Sequence, residues 1–188
     1  AEVFGRALLP EPFVAAAVMP AALIAAMADG AARTTLAAEL AGGERVLTLA
    51  WQAEVHQLQP GPYGATLAGQ KLRGKLTFVP AVEDDGVLLV SAVNDAGVPV
   101  VVAVEANAAG VTIERTATGN HGSMAQLCFN EVAIRFGAPL LTGDAASAAL
   151  AGALEKGRVA AAGQLVGLAS VALSTTVEYV AQRTQFER

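Results

Sequence analysis

Few residues in this 188-residue chain combine a type and a spacing that do chemistry. His121 stands two positions before Ser123 in "NHGSM", the ingredients of a base and a nucleophile. Such a pair needs a third group to orient the imidazole, and this Gly-containing stretch reads instead as a solvated turn. Glu83-Asp84-Asp85 offers paired carboxylates, but Gly86 follows directly and makes a turn between strands the better reading. Arg158 and Arg183 are 25 residues apart, close to seven helical turns, so one continuous helix puts both on a single face. Two arginines so placed can hold phosphates or carboxylates bidentately, or can simply be solvated. The sequence has no phosphate loop, no Gly-x-Gly-x-x-Gly after a strand, no paired cysteines and no His-x-x-x-His, so no metal site is expected. Cys128 lies in a strand-like run and reads as a buried thiol, and a single cysteine precludes an internal disulfide.

Three kinds of sequence must position these groups. Residues 1–45 read as helical, broken at Pro10 and at Asp29-Gly30 and closed by Gly42-Gly43. From 46 to 140 the pattern is of short β-branched runs such as "GVLLVSAV", "VPVVVAVEA" and "AQLCFNEVAI" between Gly, Asn and Asp turn signals. About seven strands with no helix between them predict an antiparallel barrel or sandwich. From 141 onward no proline occurs, and Asp144 is a candidate N-cap. Leu150, Leu154, Ala161, Leu165, Leu168, Ala172, Thr175 and Tyr179 then recur at helical spacing. A helix running on to Arg188 spans roughly 60 Å at ~1.5 Å per residue, more than this chain can cover with its own mass. It needs a neighbouring chain or further helices. The fold class is thus α+β, a helical segment, a β-domain and the start of a helical bundle.

The composition excludes some partners. Net charge is −5 without a basic cluster, which argues against nucleic acid. The uncharged run Pro12–Ala28 is shorter than the ~20 residues a membrane span needs and has Pro20 at its centre, so it reads as buried helix. No basic stretch precedes an apolar core at the start, so no secretory signal is expected, and the reading places the protein in the cytoplasm.

Four stretches in order carry a resemblance. "ELAGGERVLTLAWQAE", "LRGKLTFVPAVEDDGVLLV", "GNHGSMAQLCFNEVAIRFGAPLL" and "YVAQRTQF" together resemble the acyl-CoA dehydrogenase family, the last matching its Tyr-Ala-x-x-Arg-x-Gln-Phe signature. The resemblance runs through nearly the whole chain and implies its middle portion: the end of the N-terminal helical domain (1–45), the β-domain (46–140) and the first long helix of the C-terminal domain (141–188). It implies FAD, an acyl-CoA thioester substrate, α,β-dehydrogenation, an electron-transferring flavoprotein as electron acceptor, and a homo- or hetero-oligomer. By the same resemblance Arg183, Gln185 and Phe186 contact the FAD of a neighbouring subunit, Phe78 lies against the flavin ring with Val79 and Pro80 beside it, and Arg158 belongs to the substrate side. Departures are equally plain. Pro80 replaces a threonine that hydrogen-bonds near the flavin, Leu76 replaces a lysine, and "VHQLQPGPYG" does not reproduce the family's flavin loop. One branch carries its catalytic glutamate where this chain has Gly157, with Glu155 two residues earlier, and the other branch carries it in a region this chain lacks, so no catalytic base is identified. Two functional readings follow, a dehydrogenase and a non-catalytic subunit that shares the FAD site of a mixed assembly; a cofactor-free structural module is the third.

Overall fold

The computed structural model describes residues 1–119 and 122–184. Two compact units divide the chain, one formed by Pro12–Gly157 and the other by Ala1–Glu11 with the residues from Arg158 onward.

In the smaller unit the short helix α1 (Glu2–Arg6) packs on the later part of a long helix. The contact is close: a Cβ on Gly167 would lie 2.1 Å from the Glu2 carbonyl oxygen, so only glycine lets the two backbones meet. The Arg6 guanidinium donates to Ser170 Oγ across the same contact.

The larger unit begins with a π-helical turn, Val14–Val18, that runs directly into α2 (Met19–Ala25). Pro20 sits in the first turn of α2, where its missing N–H leaves no intrahelical bond unmade. The helix α3 (Ala31–Gly42) follows and ends on Gly43 in the left-handed region at φ 68°. Eight strands come next: β1 (Leu47–Ala50), β2 (Ala65–Ala68), β3 (Lys71–Pro80), β4 (Val87–Asn94), β5 (Pro99–Glu105), β6 (Val111–Ala117), β7 (Ser123–Ala133) and β8 (Leu141–Thr142). The last helix, α4 (Asp144–Gln182), has Asp144 as its first residue rather than its cap.

The sheet runs β6-β7-β3-β2-β4-β5-β8, with β1 also on β4. It is not wholly antiparallel as the sequence predicts. β1 and β2 both pair parallel to β4, on successive lengths of the strand: Leu47–Ala50 face Val87–Val90, and Thr66 and Leu67 face Val93 and Asn94. The strand runs in the sequence show no direction, because alternation and β-branching are the same for either orientation.

Two cores flank this sheet. Leu72, Leu76, Leu88, Val90, Val102 and Leu127 fill one. Leu89 and Val101 face the other way, onto Leu23 and Leu36 of the helices and Leu150 of α4. β4 and β5 are therefore buried on both faces, which is why their sequences are apolar without alternation. Cys128, expected buried, is half-buried, since it lies on the face of β7 opposite Leu127 and Phe129.

An ionic clamp fixes α3 to the sheet. Arg135 grips Glu39 with both terminal nitrogens, at 2.8 and 2.7 Å, and its Nε lies 2.9 Å from Glu105. Arg45 joins the same two carboxylates and donates to the Asp85 carbonyl oxygen. The Arg135 hydrogen bonds hold the Glu39 carboxyl below its ordinary pKa, against some desolvation, with the Arg45 charge adding to the effect. A carboxylate with a lowered folded pKa gives stability that is present above its unfolded value and lost as pH falls through the folded one. We predict that melting temperature drops on acidification below the ordinary glutamate range, and that Arg135→Ala costs roughly 2–3 kcal/mol at neutral pH, because it leaves carboxylates partly buried without their main partner. Thermal melts across pH check both; an Arg135→Ala variant with the parent's melting curve contradicts them.

Candidate functional site

The residues singled out in β3 gather at an irregularity of that strand. Its pairing with β7 slips between Leu76, opposite Leu127, and Val79, opposite Ala125. Thr77 and Phe78 stand where Gln126 alone is left on the partner, so one residue is surplus and the strand bulges. Phe78 takes φ 54°, a conformation that costs an aromatic residue strain and is held by the pairing on both sides. The result is a re-aimed ring. Phe78 is 45% exposed, whereas Leu76 and Val79 on either side are buried.

The loop between β1 and β2 is tied to this bulge. The Thr77 amide donates to the Gln52 carbonyl at 2.8 Å. Within the loop the Gln57 side-chain oxygen accepts from the Ala53 and Glu54 amides at 2.7 and 3.3 Å, and its nitrogen donates to the carbonyls of Gln59 and Pro62. Those first two amides are thus engaged by the chain itself. Gln57 had no signal in the sequence, because a lone glutamine among Pro and Gly marks a loop and not its internal bonds.

The hydroxyls nearby are mostly satisfied. Thr48 Oγ1 donates to the Ala81 carbonyl at 2.6 Å and Ser91 Oγ to that of Trp51 at 3.4 Å. Thr77 Oγ1 is buried with no hydrogen-bond partner among the described residues. Of the other predicted positions, the Val79 side chain is in the core, so only its backbone is open to a ligand. Pro80 is half-buried opposite Met124 and brings neither hydroxyl nor N–H. An exposed ring on a strained bulge with an orphaned hydroxyl beside it suits a flat heteroaromatic ligand such as a flavin.

In the other unit, the Arg183 amide still donates to the Tyr179 carbonyl, one step past the end of α4, and its guanidinium lies 5.4 Å from the Tyr179 ring centre. Arg158 is exposed on α4. The sequence predicts this helix on to Arg188, but α4 ends at Gln182, so Arg158 lies within it and Arg183 just past its end. Gln185, Phe186 and His121 lie outside the described residues. The Glu83-Asp84-Asp85 stretch is structural: it forms the turn before β4, and Asp84 accepts from Arg115. No cluster of metal-ligating side chains occurs among the described residues.

Gly157 is buried in the first part of α4, against the helical segment of its own unit. A Cβ there would come 2.9 Å from Met19 Cγ, 3.1 Å from its sulfur and 3.6 Å from Val14 Cγ1. A longer side chain there would have to displace the Met19 side chain, which is flexible. Glu155 is exposed on another face of the helix.

The later part of α4 is unusually bare. Val159, Val166, Leu173 and Val180 recur every seven residues and are each at least 60% exposed. By length and composition alone α4 is also long and apolar enough to cross a membrane, with a window of mean hydropathy 1.4. Such a stripe needs cover from protein or from lipid.

No family model matches the sequence, and no curated protein matches it. Solved structures do. A steroid ACAD variant, Tcur3481-Tcur3483, is 32% identical with a TM-score of 0.79 over 100% of this chain and 50% of its own. The ChsE4-ChsE5 complex from Mycobacterium tuberculosis is 26% identical with a TM-score of 0.80, covering 100% of this chain and 50% of that one. A glutaryl-coenzyme A dehydrogenase in its glutaryl-CoA complex shares the fold at a TM-score of 0.85 and 22% identity, again over 100% of this chain and 51% of its own. The architecture is that of the acyl-CoA dehydrogenases, and the similarity to that family runs over the whole of this chain. It spans about half the length of the structures it matches.

The packing at Gly157 yields a prediction. Gly157→Glu should destabilise the protein by roughly 1–3 kcal/mol through overpacking, before any cost of burying the carboxylate. Met19→Ala in the same chain should recover part of that loss. Urea titration measures both, and equal stability of parent and Gly157→Glu would show that Met19 gives way without cost.

Proposed function

We propose that this chain works in an FAD-dependent acyl-CoA dehydrogenase as a subunit that furnishes flavin contacts, while the catalytic base comes from elsewhere in the assembly. The observation that carries this reading is Gly157. A dehydrogenase of this kind removes the α-proton of a thioester with a carboxylate, and the helix position where one branch of the family keeps it is here a glycine packed against Met19. FAD, when bound, supplies the hydride acceptor for the β-carbon. This chain's part is to bind and orient. Phe78 gives a face for the ring, and Val79 and Pro80 give backbone beside it. Arg183, with Gln185 and Phe186 beyond it, is assigned to the FAD of a neighbouring subunit and Arg158 to the acyl-CoA side.

Supporting the mixed assembly, two of the similar structures are named as pairs of different proteins, ChsE4-ChsE5 and Tcur3481-Tcur3483. The heptad stripe on α4 supports packing on another chain, and protein is the cover this reading assigns to it. A steroid-bearing acyl-CoA is the substrate class favoured by the 32% relative, and an electron-transferring flavoprotein is the proposed acceptor. The second reading is that the same polypeptide is itself catalytic. It predicts dye reduction with acyl-CoA by this protein alone. Ours predicts activity only when a second, base-bearing subunit is present.

The flavin assignment has its own test. In the intact assembly we predict that Arg183→Ala weakens FAD binding by about one to two powers of ten, the worth of a charge-assisted contact to phosphate, with Lys restoring part of it. Flavin fluorescence titration reads the affinity. An unchanged affinity for Arg183→Ala removes that residue from the site, and a purified assembly without flavin absorbance removes the cofactor.

A further inference from the structure

We propose that the hydroxyl of Thr77 is a hydrogen-bonding group for the flavin ring, the polar counterpart of the Phe78 face next to it. The inference deepens the flavin-site reading and rests on it. Its starting point is the unmet hydrogen bond. Buried hydroxyls in folded proteins nearly always find partners, and an unmet one calls for a reason. In this protein the neighbouring Thr48 and Ser91 hydroxyls each reach a carbonyl, so the surroundings do satisfy such groups. Thr77 Oγ1 is the exception. A valine would fill the same volume without leaving a polar atom unpaired.

The position of Thr77 gives the hydroxyl a use. Thr77 and Phe78 form the bulge together, both out of the regular ladder with β7. The Thr77 amide is already spent on the Gln52 carbonyl, and the amides of Ala53 and Glu54 are spent on Gln57. Pro80, two residues beyond Phe78, has no donor. A heteroaromatic ring lying on Phe78 therefore has the Thr77 hydroxyl as the unengaged side-chain donor in the bulge. Thr77 as a whole is only half-buried, and a rotation about χ1 is the motion by which its buried hydroxyl would reach a ligand. A hydroxyl both donates and accepts, which suits the mixed donor and acceptor edge of a flavin.

The experiment compares Thr77→Val and Thr77→Ser in the intact assembly, reading FAD affinity by fluorescence titration and apo-protein melting separately. For Thr77→Val we expect an apo melting temperature equal to or above the parent's, together with FAD affinity lower by about two- to tenfold, the range of one neutral hydrogen bond. Thr77→Ser should keep the parent's affinity and the parent's visible flavin bands, while Thr77→Val shifts those bands. If Thr77→Val binds FAD as tightly as the parent, the hydroxyl is only an unsatisfied group and the proposal falls. If Thr77→Ser loses as much affinity as Thr77→Val, the methyl's packing is responsible, and the proposal falls again. A parent assembly that takes up no FAD would instead overturn the flavin-site reading itself.

Discussion

One edge of β4 is shared by two strands, and much of the molecule follows from that. β1 uses the first half of this edge and ends at Ala50; β2 takes over at Thr66. The chain between them must leave the sheet at the changeover, because no pairing partner remains for it there. That is where the 51–64 loop emerges, and the Gln52–Thr77 bond fastens its base to β3. The bulge at Thr77-Phe78 is thus placed beside the changeover by backbone pairing alone. A sheet with one continuous partner along β4 would not have that loop.

The two cores give this arrangement its rigidity. Residues of β4 and β5 alternate between the core under the bulge and the core under the helices, so a shift of one strand disturbs both. The clamp of Glu39, Arg45, Glu105 and Arg135 then ties α3 to the ends of β5 and β7. Its groups are partly buried and mutually satisfied, which favours one docking of the helix over neighbouring ones more than it adds net stability. Held this way, the helical segment brings the Met19 side chain onto Gly157 of α4.

The division of function proposed above follows the same packing. On the sheet side the chain keeps a strained, exposed aromatic and an unpaired hydroxyl, features that a purely structural sheet would lose. On the helix side Gly157 packs against the Met19 thioether. The heptad stripe on the later part of α4 leaves an apolar face that needs cover.

The sequence by itself determined the order of helical and β segments, the glycine stop of α3 at Gly43, the long proline-free helix and the family signature at its end. These depend on residue type and period, which are local properties. The double burial of β4 and β5 was also legible, as unbroken apolar runs. The tertiary structure decided the parallel pairing of β1 and β2 with β4, because strand direction leaves no mark on side-chain alternation. It decided that Cys128 is only half-buried, since the face of a strand depends on register and not on composition. Phe78 could be named from the motif, but its exposure comes from a bulge created by pairing with β7. Thr77 and Gln57 were invisible as functional residues, because what distinguishes them is a hydrogen bond missing in one case and four made in the other. Gly157 was seen in the sequence as an absent carboxylate. Only the tertiary packing shows that a side chain there would have to displace Met19, since that contact joins residues far apart in the chain.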